Sequence, residues 1–351
     1  MLIYWLIFAY FALGTVLTRQ SPQSWRRRTP VLLMTGALLV CFTIGFRYKV
    51  GADWETYKFL FTFAGYADLG RALQIGDPGY QFLNWSVQRM GGEIWIVNLV
   101  CAIIFTWGLY RFARAQPDPW LAFLVAVPYL IVVVAMGYSR QAVAIGIIMA
   151  GLATIERGAS VYRFAIYVGM AALFHKTAVL VFPLVVFASD RNRLVNALAG
   201  IAGGILLYDL FLAGSVEGFV RNYIEAEYSS QGAAIRVLMN FIPAVLFLSF
   251  RNRLEFDDHE RLIWIYFSLA ALAMPVLLVL LPSSTAVDRV ALYLIPIQVA
   301  VLPTLQYLFT SRGVGRFLIV LYAAFVLFTW LNFATHAQYW VPYRIYPGVF
   351  G

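Results

Sequence analysis

Charge is what this sequence has least of. Only 12% of its 351 residues are Asp, Glu, Lys or Arg, whereas 62% are hydrophobic and the mean hydropathy is +0.77. A water-soluble domain has no interior large enough to hide that much apolar surface, so soluble enzymes are excluded and a polytopic, all-α membrane protein is expected. Cysteine is almost absent. Cys41 and Cys101 both fall inside apolar runs, which reads as two small buried hydrophobes, not a disulfide or metal pair. There is no P-loop glycine motif, no His-Glu-x-x-His spacing and no Gly-x-Ser-x-Gly elbow, so neither a cofactor nor a metal is expected. The net charge of +9 does not call for nucleic acid, because the basic residues are spread over short loops between apolar runs, as the positive-inside rule requires. Met1 to Leu17 also lacks a basic leading flank and is followed by Arg19, Arg26, Arg27 and Arg28. That pattern predicts a retained first span and not a cleaved signal peptide.

What is present is a series of apolar runs. A membrane span needs about 20 such residues, with about 17 as the short limit. Candidates are 1–18, 30–46, 94–113, 120–137, 194–213, 262–281, 288–309 and 315–335, with shorter ones at 140–155 and 236–250. Asp118-Pro119 supplies an N-cap and an N1 proline for the fourth. Residues 47–92 form a polar and aromatic insert far longer than the other connections. Short amphipathic helices are predicted in it, one from Trp54 behind Asp53 and another from Pro78 behind Asp77, stopped by Gly91-Gly92. The chain reads as a single membrane domain with no repeat.

Within the apolar stretch Phe164 to Ala188 stands the pair His175-Lys176. An ionisable group at the bilayer centre costs roughly 2.5–3.5 kcal/mol on translocon scales, so the pair marks a site or a polar cavity. The stretch 163–188 is one long span or a broken helix pair meeting at His175. Loop charge decides between them. With two short segments, the loops carrying Arg19, Arg26, Arg27, Arg28, Arg111, Arg114, Arg157, Arg163, Arg191, Arg193, Arg251, Arg253, Arg261, Arg312 and Arg316 all fall on the cytoplasmic side. That gives about twelve transmembrane or re-entrant segments with the insert outside.

This topology gathers Arg47, Asp53, Arg140, His175, Lys176, Arg236, Asp288 and Arg289 on the outer side. Arg140 opens an apolar helix whose dipole and amides favour an anion, and Arg236 and Arg289 stand at the mouths of later spans. Guanidinium groups pair bidentately with phosphate oxygens, so converging arginines suit a lipid phosphate or pyrophosphate. Plainer readings stand beside this one. Asp53 and Asp77 have the chemistry of helix caps, and Arg47, Lys49 and Arg89 that of snorkelling interfacial cations. Arg236 is placed to open a span at the interface, Asp288-Arg289 to form a local ion pair, and His175 to be a structural hydrogen-bonding residue. Asp257, Asp258 and His259, set among other charges, read as a solvated loop and not a metal site. An outward-facing enzyme has no ATP, so its substrate must carry its own leaving group, as a polyprenyl pyrophosphate does.

Phe46-Arg47, Val50-Gly51-Ala52-Asp53-Trp54 with Tyr57, Asp77-Pro78-Gly79-Tyr80, Ser139-Arg140-Gln141, Leu173-Phe174-His175-Lys176-Thr177 and Asp288-Arg289 with Tyr293 together resemble the EpsG family of Wzy-type polysaccharide polymerases. The order and spacing agree over about 45–340. The resemblance implies a bacterial inner-membrane glycosyltransferase, with a helical fold akin to the GT-C superfamily. Such an enzyme joins undecaprenyl-pyrophosphate-linked oligosaccharides at the periplasmic face, making exopolysaccharide, capsule or O-antigen. A chain-length regulator and a flippase are the partners it calls for, and nucleic acid is not among them. Lys176 stands where a smaller polar residue is common in the family.

The chemistry expected is attack by a sugar hydroxyl on the anomeric carbon of a lipid-linked chain, with departure of undecaprenyl pyrophosphate. Arg140 and Arg289 are the expected leaving-group cations, with Arg47 and Arg236 as helpers and Lys176 holding the pyrophosphate or keeping the imidazole neutral. His175 is the expected general base, since imidazole ordinarily titrates near about 6.5, and Asp53 is the alternative. Trp54, Tyr57, Tyr80 and Trp85 are placed to stack on sugars or to anchor the interface. The rival functions are a polysaccharide ligase and a glycan transporter or flippase. A transporter calls for repeat symmetry and polar groups through the full membrane depth.

Overall fold

The computed structural model describes residues 1–17, 31–155, 161–186, 198, 201–206, 209 and 232–347. Among them all regular structure is helical, and the one strand-like feature is an isolated bridge between Arg47 and Ile345. The chain divides into two compact units. The first comprises Met1–Ala150, Leu173–His175 and Arg316–Gly351, the second Gly151–Ala172 and Lys176–Gly315.

The first unit is built from α1 (Leu2–Leu17), α2 (Val31–Gly45), the short helices α3 (Trp54–Tyr66), α4 (Leu69–Gln74) and α5 (Pro78–Arg89), then α6 (Ile94–Ala113), α7 (Pro119–Ala126) and α8 (Ser139–Ile155), whose last turn belongs to the second unit. Asp53, Asp77 and Asp118 stand at the N-caps of α3, α5 and α7, and Pro78 and Pro119 at the first helical position, where proline's missing N–H has no partner to lose. Between α7 and α8 the helix widens to π geometry over Val127–Ala135. The widening begins at Val127-Pro128, where the proline ring withdraws an N–H from the α ladder.

This α7–π–α8 rod is the core of the unit. From Pro119 to Ala150 every residue is buried except Tyr138 and Arg140, which are partly exposed. A helix apolar on all sides must be wrapped by others. Phe11 of α1 stacks on Phe123 at 4.8 Å, and α6 crosses α8 where a Cβ added to Gly108 would lie 1.9 Å from the Gly146 carbonyl oxygen. Only a missing side chain allows that approach.

Residues 339–346 close the unit at the end where the 46–51 loop lies. The Trp340 indole donates to the Val132 carbonyl of the π segment at 2.7 Å, and the Trp340 carbonyl accepts from the Tyr4 hydroxyl at 2.6 Å. The backbone N–H groups of Tyr48 and Gly51 donate to the Arg344 and Tyr339 carbonyls, and that of Tyr346 to the Phe46 carbonyl. The 46–51 loop is thus paired along its length.

The second unit holds most of α9 (Val161–Phe174), then α10 (Phe182–Val186), α11 (Ala233–Phe250), α12 (Asp258–Leu280), α13 (Ser284–Ala291), α14 (Pro296–Thr304) and the first residues of α15 (Arg312–Phe333). α9 ends at Phe174, His175 is non-helical, and a 3-10 turn over Lys176–Val181 leads into α10. Asp257 and Glu260 form a capping box at the start of α12, and Asp258 pairs with Arg261, which accounts for the acidic pair at this loop.

Among the described residues four helices, α6, α11, α12 and α15, are long and apolar enough to cross a membrane, and a bent pair over Ser284–Leu308 makes a fifth candidate. Six shorter apolar helices accompany them. The protein is therefore a multi-pass helical membrane protein, with four or five such candidates where the sequence suggests about twelve segments. The run 288–309 reads as one span but bends by 50° at Ile295-Pro296, where proline interrupts the ladder. The expected span 194–213 lies largely outside the described residues, as do Arg19, Arg26, Arg27, Arg28, Arg157, Arg191 and Arg193.

Candidate functional site

Arg140 is the centre of the first unit's polar cluster. It lies in the first turn of α8 and is partly exposed where nearly all of its helix is buried. Its Nη1 donates to Asp77 Oδ2 at 2.8 Å, and its guanidinium carbon lies 5.9 Å from the centre of the Tyr57 ring. Tyr57 of α3 in turn packs on Tyr80 of α5 with ring centres 5.5 Å apart. The insert helices thus hold Arg140 between an aromatic face and a carboxylate, an arrangement that stiffens a guanidinium without neutralising every edge of it. The Arg140 Nε is buried and makes no hydrogen bond.

Asp77 occupies the N-cap position of α5, yet its side chain makes no capping hydrogen bond. The cap reading therefore holds for its place in the helix and not for its carboxylate, which serves Arg140. Asp53 likewise stands at the N-cap of α3 without a capping bond.

Arg47 is 1% exposed. Its Nη1 donates to the Ile44 carbonyl at 2.5 Å, and its Nη2 to Asn98 Oδ1 at 3.1 Å and to Ser139 Oγ at 2.6 Å. These bonds tie the end of α2 to α6 and to the residue just before Arg140. A side chain so enclosed is neither a snorkelling cation nor placed to meet a ligand directly. Arg47 positions the start of α8.

The expected sugar platform also changes. Trp54, Tyr57 and Tyr80 are all buried, Tyr80 completely, and Trp54 packs edge-on against Tyr48. A stacking platform needs an open ring face, so these rings serve the packing of the insert. Burial pushes the hydroxyl pKa of Tyr57 up and that of Tyr80 well above the usual tyrosine value, with Arg140 pulling Tyr57 part of the way back. Both phenols are neutral hydroxyls at physiological pH.

His175, between α9 and the 3-10 turn, is partly exposed. It belongs to the first unit, and the Asp77-Pro78-Gly79 turn reaches its neighbourhood. A Cβ added to Gly79 would lie 3.0 Å from both the Leu173 side chain and its carbonyl oxygen. Three of the sequence motifs, at 77–80, at 139–141 and at 173–175, are thereby gathered in one unit. At Gly51, φ is +105°, and a Cβ there would lie 2.6 Å from the Met136 carbonyl oxygen, so the fourth motif fits against the approach to Ser139.

Arg236, Arg289 and Lys176 belong to the second unit. Asp288 accepts from Arg236 Nε and Nη2 at 2.6 and 2.7 Å, a bidentate bond from α11 to α13. One turn on, Asn240 donates to the Ala291 carbonyl and accepts from Gln298 Nε2, both at 2.7 Å. Arg236 is therefore a helix clamp, its side-on fork fully used. Arg289 lies in the last turn of α13, partly exposed, and the Thr177 hydroxyl lies 3.5 Å from that of Tyr293.

Asn98, Asn240 and Gln298 were not singled out in the sequence, and Ser139 only as a neighbour of Arg140. Each is a polar residue in an apolar run, the signal that singled out His175, without a charge to draw the eye. Among the described residues no three His, Cys, Asp or Glu side chains gather as a metal site.

A chain whose regular structure among the described residues is all helical, with four or five span candidates there, belongs to the class of multi-pass helical membrane proteins. The EpsG family pattern matches residues 31–345, and the chain belongs to the EpsG family. Membership gives it a polymerase-type role in polysaccharide biosynthesis. No curated protein and no solved structure matches it.

Proposed function

We propose that this protein is a Wzy-type polymerase that joins undecaprenyl-pyrophosphate-linked oligosaccharide repeat units by glycosyl transfer at the periplasmic face of the bacterial inner membrane. The observation that carries the reading is Arg140. It is a guanidinium held by Asp77 and Tyr57 at the start of an apolar helix, with an edge not committed to a carboxylate, in the same unit as His175.

In the reaction a sugar hydroxyl of one repeat unit attacks the anomeric carbon of another. The new C–O bond forms as the bond from that carbon to the pyrophosphate oxygen breaks. The hydroxyl proton goes to His175, and the electron pair leaves with undecaprenyl pyrophosphate. Negative charge grows on the leaving phosphate, and a fixed guanidinium beside it lowers the barrier without having to reorganise. Arg140 has that role. Tyr57 sets the height of its guanidinium, and Arg47 sets the position of its helix through Ser139.

A strain lacking the gene should accumulate single lipid-linked repeat units and lose long polymer. Purified protein should lengthen a defined lipid-linked glycan. Movement of that glycan across vesicles with no lengthening would replace this reading by the flippase one, and transfer only to a different acceptor would replace it by the ligase one.

A further inference from the structure

We propose that Asp77 is the resident counter-ion of Arg140, a carboxylate within the chain that holds the guanidinium until the substrate's pyrophosphate displaces it and then turns to cap its own helix. The inference rests on the reading of Arg140 as a pyrophosphate ligand, and it adds a residue that moves when the ligand arrives.

Asp77 stands where its carboxylate could cap a helix, and it pairs with Arg140 without making the cap. It lies at the N-cap of α5 with φ −74° and ψ 120°, followed by Pro78, the backbone setting in which an aspartate accepts from amides of the first turn. Three other aspartates at the same position do so. Asp68 accepts from the Arg71 amide at 2.8 Å, Asp118 from Leu121 at 3.2 Å and Asp257 from Glu260 at 2.8 Å. Asp118 even caps with one oxygen while pairing with Arg316 through the other. Asp77 makes no such bond and reaches Arg140 instead.

The ion pair is also of the kind a better anion can break. It runs through Nη1 of Arg140, whereas Arg236 holds Asp288 through two nitrogens. A pyrophosphate carries more charge than a carboxylate and matches the guanidinium fork with two oxygens, so it outcompetes a single contact. The cap then stabilises the released carboxylate and offsets part of the lost pair.

The turn around Asp77 sits where such a motion has effect. A Cβ on Gly76 would lie 3.3 Å from Gln81 Nε2 and 3.8 Å from Arg140 Nη1, while Gly79 meets the Leu173 backbone two residues before His175. The turn that carries Asp77 thus approaches both the cation and the segment that carries the proposed base.

The test is binding of inorganic pyrophosphate to the purified full-length protein, by calorimetry, with thermal midpoints recorded for each variant. Asp77→Asn keeps the size and the capping ability but removes the competing charge. It should bind pyrophosphate about 5- to 50-fold more tightly, within the usual range of coupling between two sites. Asp77→Ser, a second uncharged capping residue, should shift in the same direction, which guards against one variant being misfolded. Equal or weaker binding by both variants would overturn the counter-ion role. Arg140→Ala separates this from the underlying reading. If it abolishes binding while the Asp77 variants bind like wild type, only the role of Asp77 is lost. If the wild type does not bind, or Arg140→Ala binds like it, the phosphate reading of Arg140 is lost with it.

Discussion

A guanidinium enclosed by protein supports a fold, and one that is partly exposed is able to meet a ligand. Arg47, 1% exposed, and Arg140, whose side chain is 25% exposed, divide along that line, and their substitutions should separate accordingly. Arg47→Ala strands Asn98 and Ser139 and should lower stability by about 2–3 kcal/mol, the usual loss for hydrogen bonds to a buried charged group, measurable by denaturation in mixed micelles. Arg140→Ala takes the guanidinium from the buried Asp77 carboxylate and should lower the thermal midpoint, and in the protein that still folds it should cut polymer formation by about 100- to 1,000-fold, the range for removing one preorganised donor. Arg140→Lys keeps the charge, loses the fork and should fall in between. Normal polymer from Arg140→Ala at matched expression would remove phosphate binding from this residue. At His175, alanine should cost about 100- to 10,000-fold if the imidazole takes the proton. Glutamine, which can hydrogen-bond but is a poor base, should be nearly as inactive across pH. Near-wild-type turnover by His175→Gln would make the histidine structural and move the base assignment to Asp53. His175 and Arg140 were legible in the sequence because an ionisable residue beside apolar ones costs free energy that must be recovered somehow. The partner of Arg140 was not, because Asp77 is 63 residues away and its local context, Asp-Pro before a helix, already has a sufficient explanation as a cap.

Helix ends were legible where side-chain chemistry marks them, as at Trp54, Pro78 and Pro119, each behind an aspartate. Helix geometry between the ends was not. Hydropathy is the same for a straight run and a bent one, so 288–309 reads as one span until Pro296 bends it, and nothing in 127–135 but Pro128 separates a π from an α helix. α4 escaped notice because six residues are too few to show a period. Two contacts between elements should be sensitive. Gly108→Ala brings a methyl to 1.9 Å from the Gly146 carbonyl oxygen, which α6 and α8 cannot accommodate without separating. The expected outcome is loss of folded protein from the membrane, read by detergent-solubilised chromatography. Arg236→Ala leaves Asp288 without its clamp. It should cost about 3 kcal/mol, the lower end for breaking a buried pair, because the two side chains keep 15% and 10% exposure. The double variant with Asp288→Asn should cost less than the sum of the single changes, and full additivity would mean that the pair is not a clamp.

Over the whole molecule, sidedness decides how the apolar helices are to be counted. Single cysteines placed in 47–92 should react with a membrane-impermeant reagent from outside, and those in 251–261 only after the membrane is opened. Labelling of 190–193 from outside would restore one long span through 163–188. The native Cys41 and Cys101 are both buried, which keeps the background low. A different consequence follows from the way residues 339–346 pair with the 46–51 loop. Tyr343 donates to the Thr43 carbonyl across 300 residues of chain, and the loop so fastened carries Arg47, which positions the start of α8. During synthesis at about 5–20 residues per second, the loop must wait about 15–60 seconds for the segment that completes it. Until then the nascent chain lacks the segment that fastens the loop carrying Arg47. A ribosome stalled before Trp340 should therefore leave behind a chain whose first loop, though made early, is still untied.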